Sequence, residues 1–155
     1  MEIKINKDLT ELLGETPMFR ELEENERAEI AVRMELKQYD TGKELFCEGD
    51  PGGELLIIFK GSVEVQKLRS HGEGRIVIAR FDRGGVLGEM SLIDGMPRSA
   101  TVVAAKPTKV YILSQEGLDE IVENNPHLAV KFLKGLAALL SLRLRNTSGW
   151  FADVF

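Results

Sequence analysis

The chain holds one cysteine and two histidines in 155 residues. Cys47 alone can form neither an internal disulfide nor a thiolate zinc cluster, and His71 and His127 are too few for a multi-histidine metal centre. Long apolar runs are missing too. The longest, 55–59 and 136–140, are five residues each, whereas a helix crossing a bilayer needs roughly 20. There is no basic excess: 20 Lys and Arg against 25 Asp and Glu give a net charge of −5. A field of that sign repels nucleic acid and anionic membrane surfaces. The first six residues lack the basic start, apolar stretch and cleavage site of a secretory signal, so a cytoplasmic chain is expected. With 43% hydrophobic and 29% charged residues, the composition is that of one water-soluble domain with a buried core.

What is abundant is glycine, and it is unevenly placed. Eleven of the 15 glycines fall between Gly42 and Gly95, punctuating short runs of Val, Ile, Leu and Phe. This pattern predicts eight strands, at 35–39, 44–47, 54–60, 62–68, 75–81, 86–87, 100–105 and 109–113. Eight short strands imply a mainly β fold, an antiparallel barrel or jelly roll over 35–113. The turn 70–74, with Gly72 and Gly74, predicts an exposed hairpin with His71 as a solvated tip residue. Cys47 is expected to fill the barrel interior as a small hydrophobe.

Helices are expected at both ends. Apolar residues at spacings of three and four predict one over 18–34, and Asp8 is the candidate N-cap of a short turn before Gly14. Ser114 is a candidate cap for the first of two helices within 115–146, and Pro126 suits the first turn of the second. Residues 147–155 are read as a tail. Leu133, Leu136, Leu140 and Leu144 form an apolar stripe that either closes the barrel or pairs with a second copy in a homodimer.

The chemistry concentrates in Gly88-Glu89-Met90-Ser91-Leu92-Ile93 and Pro97-Arg98-Ser99-Ala100-Thr101. Glycines let a backbone approach a ligand closely, and Glu89 to Ile93 suffices for a helical turn with unpaired amides at its start. Such amides suit phosphate, and an arginine returning a few residues later adds a planar fork for two phosphate oxygens. A carboxylate in the same loop serves a neutral hydroxyl, as acidic residues do on ribose. From pattern alone, the other reading is a surface loop closed by an ion pair.

These residues resemble the phosphate-binding cassette of cyclic nucleotide-binding domains. The runs 42–50 and 56–65 are similar to the glycine frame of that family, and the resemblance covers roughly 18–145. It implies a jelly-roll-type β-roll, or double-stranded β-helix, with an N-terminal helix and two C-terminal helices. It also implies that Glu89 binds the ribose 2′-hydroxyl and Arg98 the cyclic phosphate. The amides around Gly88, Met90 and Ser91 would meet sugar and phosphate oxygens, with Ser99 and Ala100 adding hydroxyl and amide contacts. Val77, Ile78 and Ala79 lie on a strand that walls the base in relatives. Base contacts are expected from Arg143, Arg145, Asn146, Thr147 or Ser148, and Trp150 or Phe151 is a candidate lid.

The resemblance favours cAMP over cGMP as ligand, with no cofactor or metal. It implies a regulatory sensor rather than an enzyme, one that moves its C-terminal helices and delivers its output to a separate protein. Chains of the catabolite activator family add a helix-turn-helix domain, whereas this sequence stops ten residues after Arg145, so no DNA-binding domain is expected. Two rival readings differ in class. One is the same fold acting as a protein interaction module without nucleotide; the other is a small cupin-like enzyme, which needs clustered His and carboxylate ligands.

Overall fold

The computed structural model describes residues 6–154, and side chains from 6 to 147. The chain opens with helix α1, Lys7–Glu15, followed by a 3-10 turn at Pro17–Phe19 and helix α2, Glu24–Ala31. Strands β1 (Met34–Tyr39), β2 (Glu44–Phe46), β3 (Glu54–Lys60), β4 (Val63–Leu68), β5 (Arg75–Phe81) and β6 (Val86–Leu87) follow. Helix α3, Glu89–Asp94, separates these from β7 (Thr101–Ala104) and β8 (Thr108–Ser114). Helices α4, Gln115–Asn124, and α5, Pro126–Val154, complete the order.

The eight strands form two antiparallel four-stranded sheets, ordered β1-β8-β3-β6 and β2-β7-β4-β5, which is the expected β-roll. Strand β3 shows why its run Leu55-Leu56-Ile57-Ile58 is continuously apolar. Alternate side chains of a strand face opposite ways. Leu56 and Ile58 enter the core between the sheets with Val63, Leu87 and Val110. Leu55 and Ile57 face the helices, joining Leu9, Ile30, Leu118 and Phe132.

The strands agree with expectation to within two residues at either end; the helices needed three corrections. The single helix over 18–34 is in fact a 3-10 turn, a break and α2, with Met34 already paired to Leu113 in the sheet. Pro17 opens the turn, and Glu23 starts a new helix because its amide donates to Glu26 Oε1 at 3.0 Å. The cap of α1 is Asn6, not Asp8. Its Oδ1 accepts the Leu9 amide at 3.2 Å while its Nδ2 donates to Tyr111 Oη at 3.1 Å, a pairing no carboxylate can make. Helix α5 runs on to Val154, through the stretch expected as a tail.

Ser114 caps α4 as expected, accepting the Gly117 amide at 3.1 Å. The leucine stripe of α5 divides between two faces: Leu136 is buried in the domain core, whereas Leu133 and Leu144 are exposed. The β4–β5 hairpin is exposed from Leu68 through Ile78, with Gly72 and Gly74 both at positive φ. Cys47 departs from expectation. It is only half-buried and sits just beyond β2, where Thr101 Oγ1 lies 3.6 Å from its sulfur and Arg75 Nη2 3.9 Å. The side chain before it, Phe46, is the one turned toward the site described next.

Candidate functional site

Strand β6 delivers the chain to Gly88, which caps α3 at φ 74°, and Gly95 ends the helix at φ 67°. A Cβ on Gly88 would collide with the Glu54 carbonyl oxygen and the Arg98 guanidinium, so only glycine lets Arg98 reach this point. Arg98 is 6% exposed. Its Nη1 donates to Glu54 O at 3.0 Å, its Cζ stands 4.2 Å over the Phe46 ring, and its Nε has no partner. Burial pulls the Arg98 guanidinium below its ordinary value, opposed by the carboxylates of Glu54, Glu89 and Asp50. It remains a cation. Among the described ion pairs none includes Arg98, so it is a desolvated positive fork without a charge partner, as an anion-binding group should be.

Glu89, the first residue of α3, is 7% exposed and is paired with Arg143 of α5, Nη1 to Oε1 at 2.5 Å. Arg143 also donates to Val86 O at 2.7 Å and lies 5.3 Å from the Phe81 ring centroid. Between Arg98 and Arg143 opens a pocket of about 430 Å³, within the size range of small-molecule sites. Gly88, Glu89, Met90, Ser91, Arg98, Ser99 and Ala100 all line it. The Ser91 hydroxyl donates to Met96 O at 2.9 Å and so braces the cassette loop. Amides at the start of α3 lack a carbonyl four residues back, the usual condition of a first helical turn.

The wall opposite is apolar: Val65, Leu87, Val102, Ile78 and Ala79. Two consecutive residues of β5 line the pocket because the β4–β5 register slips there. Val65 pairs with Ala79 but Gln66 with Val77, leaving Ile78 unpaired as a bulge that breaks the alternation. Val77 does not line the pocket. Among the described residues of α5, only Arg143 and Thr147 do, one turn apart, and not Arg145 or Asn146. The side chains of Ser148, Trp150 and Phe151 lie outside the described residues. A larger groove of about 630 Å³ between Met18 and α5 contains no buried polar side chain.

A family model for the cyclic nucleotide-binding domain matches residues 36–125, more than half of the chain. The chain belongs to the cyclic nucleotide-binding domain family. It is 33% identical over 137 residues to a cAMP-dependent protein kinase regulatory subunit of Mycosarcoma maydis, covering 88% of this chain and 25% of that protein. It thus spans about a quarter of that relative's length. A solved cyclic nucleotide-binding domain from Methylobacillus flagellatus superposes with a TM-score of 0.85 at 34% identity, covering 96% of this chain and 83% of the other. The Thermus thermophilus catabolite activator protein gives 0.80 at 29% identity, covering 90% and 63%.

In this cyclic nucleotide-binding domain, three contributors to the pocket carried no mark in the sequence. Phe46 underlies Arg98 and Phe81 underlies Arg143, yet each reads as one more apolar strand residue. The third is the Glu54 carbonyl, a backbone atom. No group of three His, Cys, Asp or Glu suited to a metal ion occurs among the described residues. Nor, among them, is any helix long and apolar enough to cross a membrane.

Proposed function

We propose that this domain is a sensor for a cyclic nucleotide, cAMP rather than cGMP, that passes ligand capture to a second protein through α5. The observation that carries the reading is Arg98, a buried cation with an unpartnered donor, set in the pocket beside the acid Glu89. Arg98 takes the cyclic phosphate through its fork, with Ser99, Ala100 and the amides of Gly88, Met90 and Ser91 beside it. Glu89 accepts the ribose 2′-hydroxyl. The apolar wall of Val65, Ile78 and Ala79 receives the purine, and Thr147 with Arg143 faces it from α5. The likeness to a subunit named as cAMP-dependent supports the choice of purine. The role is binding, not catalysis.

Signalling follows from what already occupies Glu89. In the structure its carboxylate holds Arg143, so a ribose hydroxyl competes with α5 for the same acceptor. Such a ligand contacts two helix arrangements unequally, which is the condition for a population shift. The start of α5 is anchored by Leu128, Phe132 and Leu136, each at most 1% exposed and worth about 2 kcal/mol of burial. The partly exposed pair at the far end is worth about 1 kcal/mol. The stretch beyond Leu136 is therefore the part that moves. Leu133 and Leu144, both exposed on that helix, make the candidate contact with a second copy, which light scattering with and without nucleotide checks, while Leu140 packs against the domain core.

Calorimetric titration of the protein with cAMP and with cGMP, repeated on Arg98→Met, tests the reading. Saturable binding by the wild type and none by the variant is expected. The variant should unfold in urea no earlier than wild type, since it removes a buried charge and its orphan Nε–H. If folded, ligand-free protein binds neither nucleotide at millimolar concentration, the sensor reading is wrong and the fold serves as a protein interaction module.

A further inference from the structure

The segment that follows Arg98 is held from two sides. On one, Gly49 donates its amide to Arg98 O at 2.9 Å and the Arg98 amide donates to Asp50 O at 2.8 Å. On the other runs β4, but its ladder with β7 ends at Gln66 and Thr101, so Ser99 lies beyond the last strand pair. Its carbonyl still has a partner. Lys67 Nζ donates to Ser99 O at 2.6 Å and to Glu48 Oε1 at 3.2 Å.

Glu48 in turn is tied down at three points. Its second carboxylate oxygen accepts the Leu68 amide at 3.4 Å, and its own amide donates to Thr101 Oγ1 at 2.9 Å. The hydrogen bond from Lys67, then that from Leu68, holds its carboxyl below the usual range, so it stays anionic at neutral pH. Lys67 thereby closes a bracket that joins the turn after β2, the end of β4 and the end of the cassette. A lone surface ion pair contributes little, whereas a charged donor shared between a backbone carbonyl and a carboxylate is among the stronger contacts.

Peptide planarity turns these contacts into directions. In a trans peptide the carbonyl and the next amide point opposite ways. With Arg98 O held by Gly49, the Ser99 N–H points away from that turn. With Ser99 O held by Lys67, the next peptide plane is fixed as well. Both planes flanking Ser99 are then set: the Gly49 contact orients the Ser99 amide, and the Lys67 contact orients the amide of Ala100, a residue that lines the pocket beside Arg98. Lys67 itself does not line the pocket.

Resting on the nucleotide reading above, we infer that Lys67 is a positioning residue of the anion site: it fixes the Ser99–Ala100 peptide so that the Ala100 amide meets the same phosphate as Arg98. The test compares Lys67→Met, which keeps the stem and loses the donor, with Lys67→Arg, which keeps a charged donor. Calorimetry with cAMP gives affinity, and the Ala100 amide resonance in a nitrogen–proton correlation spectrum reports the local contact. Lys67→Met should bind cAMP about tenfold more weakly and lose the downfield shift of the Ala100 amide proton at saturation. Lys67→Arg should retain both, and thermal unfolding of the unliganded variants should match wild type. Unchanged affinity and an unchanged Ala100 signal in Lys67→Met would overturn the role. Equal losses of affinity and stability in both variants would also overturn it, leaving Lys67 a structural residue. The wild-type titration is read first, because its failure removes the nucleotide reading and this role together, whereas wild-type binding with a silent Lys67→Met removes only the latter.

Discussion

Arg143 and Glu89 join the far end of the last helix to the first residue of the cassette helix, guanidinium to carboxylate. The acid expected to serve a sugar hydroxyl thus has a cationic partner on α5. Its partner contributes two further contacts, to Val86 O and to the Phe81 ring, so α5 is fastened to the rim of the pocket by one side chain.

Replacing Arg143 by Met removes that fastening. Free Glu89 no longer exchanges one partner for another, so cAMP affinity in Arg143→Met should rise severalfold in a calorimetric titration. Hydrogen exchange of α5 beyond Leu136 should also quicken in the unliganded variant. A fall in affinity would mean that Arg143 stays with the ligand.

Gly135 offers a test of packing on the same helix. Alanine normally stabilises a helix interior by about 1 kcal/mol over glycine. Here its Cβ would strike the carbonyl oxygen of Met18, which is backbone and cannot swing aside. Overpacking of this kind costs about 1–3 kcal/mol. Gly135→Ala should therefore lower the urea midpoint despite the better propensity, and a gain would mean that the 3-10 turn at Pro17–Phe19 yields easily.

Glu26 of α2 and Lys131 of α5 meet at 2.8 Å. The hydrogen bond from Lys131, followed by that from the Glu23 amide, holds the Glu26 carboxyl below its ordinary value. A depressed carboxyl stabilises the fold above its unfolded value of about 4.3 and ceases to do so as pH falls through the lower folded value. The stability difference between wild type and Lys131→Met should be full at pH 6 and shrink as pH drops below about 4, measured as urea midpoints. A difference independent of pH would assign the effect to the lysine stem instead of its charge.

Much of this molecule is legible in its residues, because strand alternation and glycine punctuation are local signals. Ser114, Pro126 and the turn around Gly72 do in the structure what their chemistry suggests. The split at Glu23 went unread because charged residues at helical spacing look alike on either side of a break. Asn6 and Asp8 are equivalent as caps until Tyr111 arrives from the far end of the chain. The cassette residues were readable as a cluster since they are contiguous. Phe46, Phe81 and the choice of Arg143 over Arg145 were not, because each depends on which face of a distant element packs against the pocket.

Strand β5 ends its sheet, and along it Ile76, Val77 and Ile78 are all exposed. A flat apolar edge with open amides is a template on which another chain can add a strand and begin to aggregate. The bulge at Ile78 bends that template, and Arg75 and Arg80 set a charge at either side of the apolar run. One irregularity in register therefore serves two ends: it turns the adjacent Ile78 and Ala79 both into the wall of the pocket, and it keeps neighbouring molecules in a crowded solution from zipping onto the edge.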